Sequence, residues 1–212
     1  MILPPTYGMY KVSASINEVR IKEIPLTPNY QPDVDAILKS ASSQTKLLFL
    51  CSPNNPTGNT MDPDKVRTLL EYFPGLVVID EAYIDFCPEK TWVNTLNQYP
   101  NLVVMQTFSK AWGLAGLRVG LAYAHPEIIT LFNRIKPPYN VSKIAQEKIL
   151  EALASPETKE RMAKEIVDNR QKLKNQLEKH WEVVEIYPTE ANFLLVKFTT
   201  PKNCFVFLPN KR

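Results

Sequence analysis

The chain has 212 residues, 44% of them hydrophobic and 22% charged, enough for one good domain or two small ones and too apolar for intrinsic disorder. Its 25 Lys and Arg against 22 Asp and Glu leave a net charge of +3, which predicts no nucleic-acid partner and no attraction to anionic membranes. No apolar run approaches the roughly 18 residues of a membrane span, and residues 1–5 carry neither the basic nor the apolar region of a secretion signal.

Residues 4–10, Pro-Pro-Thr-Tyr-Gly-Met-Tyr, form a turn-rich aromatic stretch of the kind that connects two elements. A missing N-terminal portion is therefore expected. Residues 46–51 are a continuous apolar run, which predicts a strand buried on both faces. Asp62 and Pro63 then open a helix, as cap and first helical residue. Val66, Leu69, Leu70 and Phe73 give that helix one apolar face. Residues 76–79, 102–105 and 119–123 predict three more strands, and a helix begins near Pro126. Strands alternating with helices imply an α/β fold with a mostly parallel sheet. The segment 106–118 is short for a helical crossover, so an antiparallel fourth strand is expected.

A second region begins near Pro137. Residues 142–153 predict a helix, and Ser155-Pro156-Glu157 caps a longer one with Met162, Ile166, Leu173, Leu177 and Trp181 on one stripe. Its charges are mixed in sign, which predicts a solvated face. Residues 182–186 and 192–198 predict two strands. This divides the chain into a partial large domain, 1–136, and part of a small α+β domain, 137–212. Three cysteines, Cys51, Cys87 and Cys204, are an odd number without metal spacing. They predict a reducing, cytoplasmic setting and no metal site. The two histidines, His125 and His180, lie far apart and read as structural.

Ligands of open parallel sheets sit outside the carboxyl ends of the strands. Three predicted strands end in polar clusters there: Ser52 to Gly58, Asp80 to Tyr83, and Thr107 to Lys110, the last followed by Gly113, Gly116 and Arg118. Taken singly, Asn55-Pro56-Thr57-Gly58 is a turn, Asp80 a helix cap and Lys110 a surface lysine. Taken together, they collect an amide, a carboxylate, a phenol, an amine, hydroxyls and a guanidinium. Glycine-rich nucleotide motifs are absent from the sequence.

The joint pattern Asn-Pro-Thr-Gly, Asp-Glu-Ala-Tyr, Ser-Lys and Arg resembles the fold-type I pyridoxal-phosphate aminotransferases. Residues 5–10 and 109–120 are most similar to the histidinol-phosphate aminotransferases among them. The resemblance runs from Pro4 to about Lys197. It implies a large cofactor domain joined to a small α+β domain, and pyridoxal 5'-phosphate as cofactor. It implies that Lys110 holds the cofactor aldehyde as a Schiff base and that Asp80 faces the pyridine nitrogen. Asn55 and Tyr83 match donors to the ring's phenolic oxygen. Arg118 and Ser109, with Thr107, match the phosphate site. Tyr7 matches an aromatic stacked on the ring, and Gly113 and Gly116 match bends close to the cofactor. The implied activity exchanges an amino group between glutamate and imidazole acetol phosphate, in histidine biosynthesis. Its partners are a small-molecule amino-acid or phosphate substrate and, for the full-length family, a second copy in a homodimer.

The family's chains also have a longer N-terminal portion, with a phosphate-binding helix N-terminus and a tyrosine reaching the partner's site. Their small domain ends with substrate-gripping arginines. Residues 200–212 do not resemble that ending, and Arg212 is merely terminal. A chain truncated at both ends, about three-fifths of family length, is expected. Alternatives at this level are another aminotransferase, for aromatic amino acids, a threonine-phosphate decarboxylase relative, a catalytically silent fragment, or a generic phosphate-binding α/β domain.

Overall fold

The computed structural model describes residues 1–200. Cys204 and the ending at 201–212 lie outside the described residues. Four strands build the main sheet: β1 (Leu47–Cys51), β2 (Leu76–Asp80), β3 (Leu102–Thr107) and β4 (Gly120–Ala124). They lie side by side in chain order. β1, β2 and β3 are parallel, and β4 runs antiparallel to β3. The short segment before β4 accounts for that reversal, since it holds only a 3-10 turn at Ala115–Leu117 and no crossover helix.

The pleat sorts the apolar residues into two layers. Leu48, Leu50, Val77, Ile79, Leu102 and Val104 point into one core. Two helices, α2 (Val34–Ser40) and α3 (Pro63–Tyr72), bring Ile37, Val66, Leu69 and Leu70 to that core. α3 begins as its sequence predicts: the Asp62 side chain accepts from the N–H groups of Asp64 and Lys65, with Pro63 in the first turn. On the other face, Val78 and Val103 meet Ile128 of α4 (Pro126–Ile135). Also on that face, Tyr10 of α1 (Met9–Ile16) packs with Ile2 and Cys51. β4 differs from a strand buried on both faces, because Gly120, Leu121 and Ala122 are exposed.

Beyond the sheet, α5 (Lys143–Leu153) is capped by the Ser142 hydroxyl. The long α6 (Pro156–Leu177) follows. Ser155 makes no side-chain cap there, so Pro156 alone marks the start. α6 ends at Leu177, before Trp181, which is 82% exposed and off the expected stripe. Ala163, Ile166 and Val167 of α6 pack against Tyr83, Phe86 and Ala111. β5 (Val183–Ile186) and β6 (Val196–Phe198) form an antiparallel pair. β6 starts later than the expected Asn192, because residues 189–193 turn away to bond the loop after β1: Glu190 N–H donates to Gly58 O at 2.8 Å. Two helices, α1 and α2, arise where no helix was expected. Cys51 and Cys87 are buried and free. No helix among the described residues is long and apolar enough to cross a membrane.

Candidate active site

Parallel register brings the carboxyl ends of three strands to one edge. Cys51 aligns with Asp80, and Asp80 with Met105. The loops that leave this edge carry Asn55, Tyr83 and the Ser109-Lys110 pair.

Strand alternation sends neighbouring acids to opposite sides. Asp80 faces α1: its Oδ2 accepts from the Tyr10 hydroxyl at 2.6 Å, and its Oδ1 from the Ala82 N–H at 3.0 Å. Glu81 turns the other way and is fully buried. It accepts from Trp92 N–H at 2.6 Å, Thr91 Oγ1 at 2.8 Å and Gln106 Nε2 at 2.8 Å. Burial holds both carboxyls above the usual carboxylate range. The Tyr10 hydroxyl, the Ala82 N–H and the Lys110 amine oppose that rise at Asp80. Burial also pushes the Cys51 thiol beside it up to about 12, and raises the Tyr10 phenol.

Across the edge, Lys110 Nζ stands over the Tyr83 ring, 5.1 Å from its centroid. The Tyr83 hydroxyl accepts from Asn55 Nδ2 at 3.1 Å. Tyr83 is buried, with the Phe193 ring edge-on at 5.2 Å. Asn55 is therefore tied to Tyr83, Tyr83 lies beneath Lys110, and the Lys110 charge reaches Asp80. The neighbouring Asn54 holds the loop together instead, with its amide donating to the Pro5 carbonyl and the Thr57 hydroxyl.

Thr107 ends β3, and Ser109 and Arg118 sit on the β3–β4 connection. Ser109 N–H donates to Thr107 Oγ1 at 3.1 Å, and that hydroxyl reaches Val119 O at 3.4 Å. Arg118 holds a left-handed backbone, φ 57°. Its exposed guanidinium donates to Ala115 O at 3.2 Å. No acidic side chain pairs with it among the described residues. Gly113, φ +68°, needs its freedom, whereas Gly116 has open space around it and no left-handed backbone.

Of the residues expected at the site, Asn55, Tyr83 and Lys110 are joined by described contacts, and Asp80 feels the Lys110 charge through space. Tyr7 is half exposed and lies edge-on to Tyr10 at 5.5 Å. Tyr10 and Phe193 were not expected at the site. The tyrosine pair in residues 7–10 was visible, but which ring turns inward depends on α1. Phe193 follows from the unexpected turn at 189–193.

The sequence matches the family "Aminotransferase class I and II" over residues 1–207. The chain belongs to this family. A histidinol-phosphate aminotransferase of Cytophaga hutchinsonii is 51% identical over 208 residues, 98% of this chain and 60% of that protein. The solved histidinol-phosphate aminotransferase of Clostridium acetobutylicum superposes with a TM-score of 0.86 at 23% identity, covering 93% of this chain and 60% of its own. The Sinorhizobium meliloti enzyme, solved with pyridoxal-5'-phosphate, gives 0.84 at 24% identity over 94% of this chain and 55% of its own. The fold is that of the fold-type I aminotransferases. The chain spans about 60% of the length of the curated relative from Cytophaga.

Proposed function

We propose that this chain is the cofactor core of an aminotransferase that exchanges an amino group between glutamate and imidazole acetol phosphate. The observation that carries the reading is the meeting of Lys110, Tyr83 and Asn55 at the sheet edge where β2 ends in Asp80. The 51% identity to a histidinol-phosphate aminotransferase supports the substrate.

The donor set fits pyridoxal 5'-phosphate. A carboxylate bonded on both oxygens suits a pyridinium nitrogen. A phenol and an amide already paired suit the ring oxygen. A guanidinium with no acidic partner among the described residues suits a phosphate. When bound, this cofactor supplies an aldehyde that captures amines and a ring that delocalises the electron pair left by Cα deprotonation.

This chain's residues do the rest. Asp80 holds the proton on the pyridine nitrogen. Asn55 and Tyr83 orient the ring through its oxygen. Arg118 and Ser109, with the Thr107 hydroxyl behind them, anchor the phosphate. Tyr7 covers a ring face. Lys110 Nζ would hold the cofactor's aldehyde carbon and would serve as the base that moves the substrate Cα proton. Residues 1–136 and 137–212 belong on this reading to a large and a small domain. The complete protein is a cytoplasmic homodimer acting on small amino-acid substrates.

Titrating the chain with pyridoxal 5'-phosphate tests this. A saturable visible absorbance band, lost in Lys110→Ala and bleached by glutamate, is expected. A band that persists in Lys110→Ala contradicts the assignment.

A further inference from the structure

Asp80 is gripped by a residue from outside the sheet. Its Oδ2 accepts from the Tyr10 hydroxyl at 2.6 Å, across 70 residues of chain. That distance is in the range of a charge-assisted O–H···O⁻ bond. The phenol has little room to leave. Its ring is stacked on Phe49 of β1 at 4.9 Å and 24°, and the Tyr7 ring abuts it edge-on. Only 8% of Tyr10 is exposed.

We propose that Tyr10 is a positioning residue for Asp80, fixing the carboxylate's orientation and keeping it ionised so that it can hold the proton on a pyridine nitrogen. The proposal rests on the cofactor reading above, and adds to it a residue that does not touch the cofactor.

The groups around Asp80 leave that task to Tyr10. From β1, Cys51 offers a thiol that burial keeps protonated. Within β2's continuation, Glu81 is turned away to Thr91, Trp92 and Gln106. The β3–β4 turn supplies the Lys110 amine, which acts through space without a direct ion pair among the described residues. The Ala82 N–H holds Oδ1. Burial favours the uncharged carboxylic acid here, and an uncharged acid could not hold a pyridinium. The Tyr10 hydroxyl is the one side-chain hydrogen-bond donor to this carboxylate among the described residues. The second oxygen keeps lone pairs for a ring N–H.

The test is Tyr10→Phe, which keeps the stack on Phe49 and removes only the hydroxyl. The Asp80 titration midpoint is read by ¹³C NMR on the chain labelled at aspartate, without cofactor, with Asp80→Asn identifying the signal. The variant is expected to favour protonation of Asp80 by about tenfold or more, moving the midpoint up by about one pH unit. A fluorinated tyrosine at position 10, a stronger donor that preserves the packing, moves the midpoint down and serves where Tyr10→Phe loosens the fold. An unmoved midpoint in both, even with reduced thermal stability, overturns the proposal, since a packing role alone does not touch the titration. Cofactor titration of the unaltered chain is read separately. A shifted midpoint with no saturable cofactor band leaves the Tyr10–Asp80 coupling standing and removes the cofactor reading.

Discussion

Gly58 sits where the site loop meets the turn before β6, and replacing it with alanine tests that junction. Its φ is +83°, and an added Cβ would lie 2.3 Å from Thr189 Oγ1 and 2.7 Å from Thr189 Cβ. The left-handed backbone alone costs a non-glycine residue about 1–2 kcal/mol. The overlap then forces Thr189 aside. Its hydroxyl donates to Phe193 O at 2.9 Å and accepts from Ala191 N–H at 3.1 Å, and Glu190 N–H bonds Gly58 O at 2.8 Å. Losing three such bonds costs roughly 1.5–4.5 kcal/mol. Gly58→Ala is therefore expected to lower the unfolding free energy by about 3–6 kcal/mol, a large part of a typical domain's 5–15 kcal/mol. Urea denaturation followed by tryptophan fluorescence measures it. Thr189→Gly removes the overlapping atoms, so in that background the same substitution should cost only the backbone share, about 1–2 kcal/mol. An equal cost in both backgrounds would refute the steric reasoning.

Glu81 and Arg118 give two further expectations. Burial raises the Glu81 carboxyl above its ordinary value of 4.5, so the folded state holds that proton to higher pH than the unfolded chain. Its contribution to stability is full below pH 4.5 and is lost as pH rises through the folded value. Glu81→Gln should flatten part of that decline in urea melts across pH 4–7; an unchanged slope speaks against it. Arg118 has a left-handed backbone that glycine adopts freely. Arg118→Gly is expected to leave thermal stability equal or higher. It should weaken pyridoxal 5'-phosphate binding about 10–100-fold, with no such loss for pyridoxal, which lacks the phosphate. Equal losses for both ligands would show that the guanidinium does not act on phosphate.

The main sheet was legible because its strands are continuous apolar runs bounded by strong punctuation. Asp62-Pro63 fixed the start of α3 to the residue, and the brevity of 106–118 foretold the reversal at β4. α1 was hidden: Gly8 precedes it without a side-chain cap, and exposed Val12 and Ile16 blur its apolar stripe. α2 carried a signal, the Asp33 side chain accepting from Ala36 N–H, but it has only seven residues. The site loops were legible as polar clusters ending strands. The support behind them was not, because Tyr10, Phe193 and Thr189 reach the site through tertiary contacts between distant segments. The length of β6 is likewise set by a tertiary contact. Residues 192–195 have strand-like composition, yet the contact with Gly58 draws the turn before them away from the sheet.

Borohydride reduction after incubation with pyridoxal 5'-phosphate, followed by peptide mapping, bears most directly on the role given to Lys110. The amine held over the Tyr83 ring should carry the pyridoxyl group well above the other lysines, and Asp80→Asn should reduce that preference. Label spread evenly over the surface lysines, or concentrated on a lysine other than 110, would contradict it.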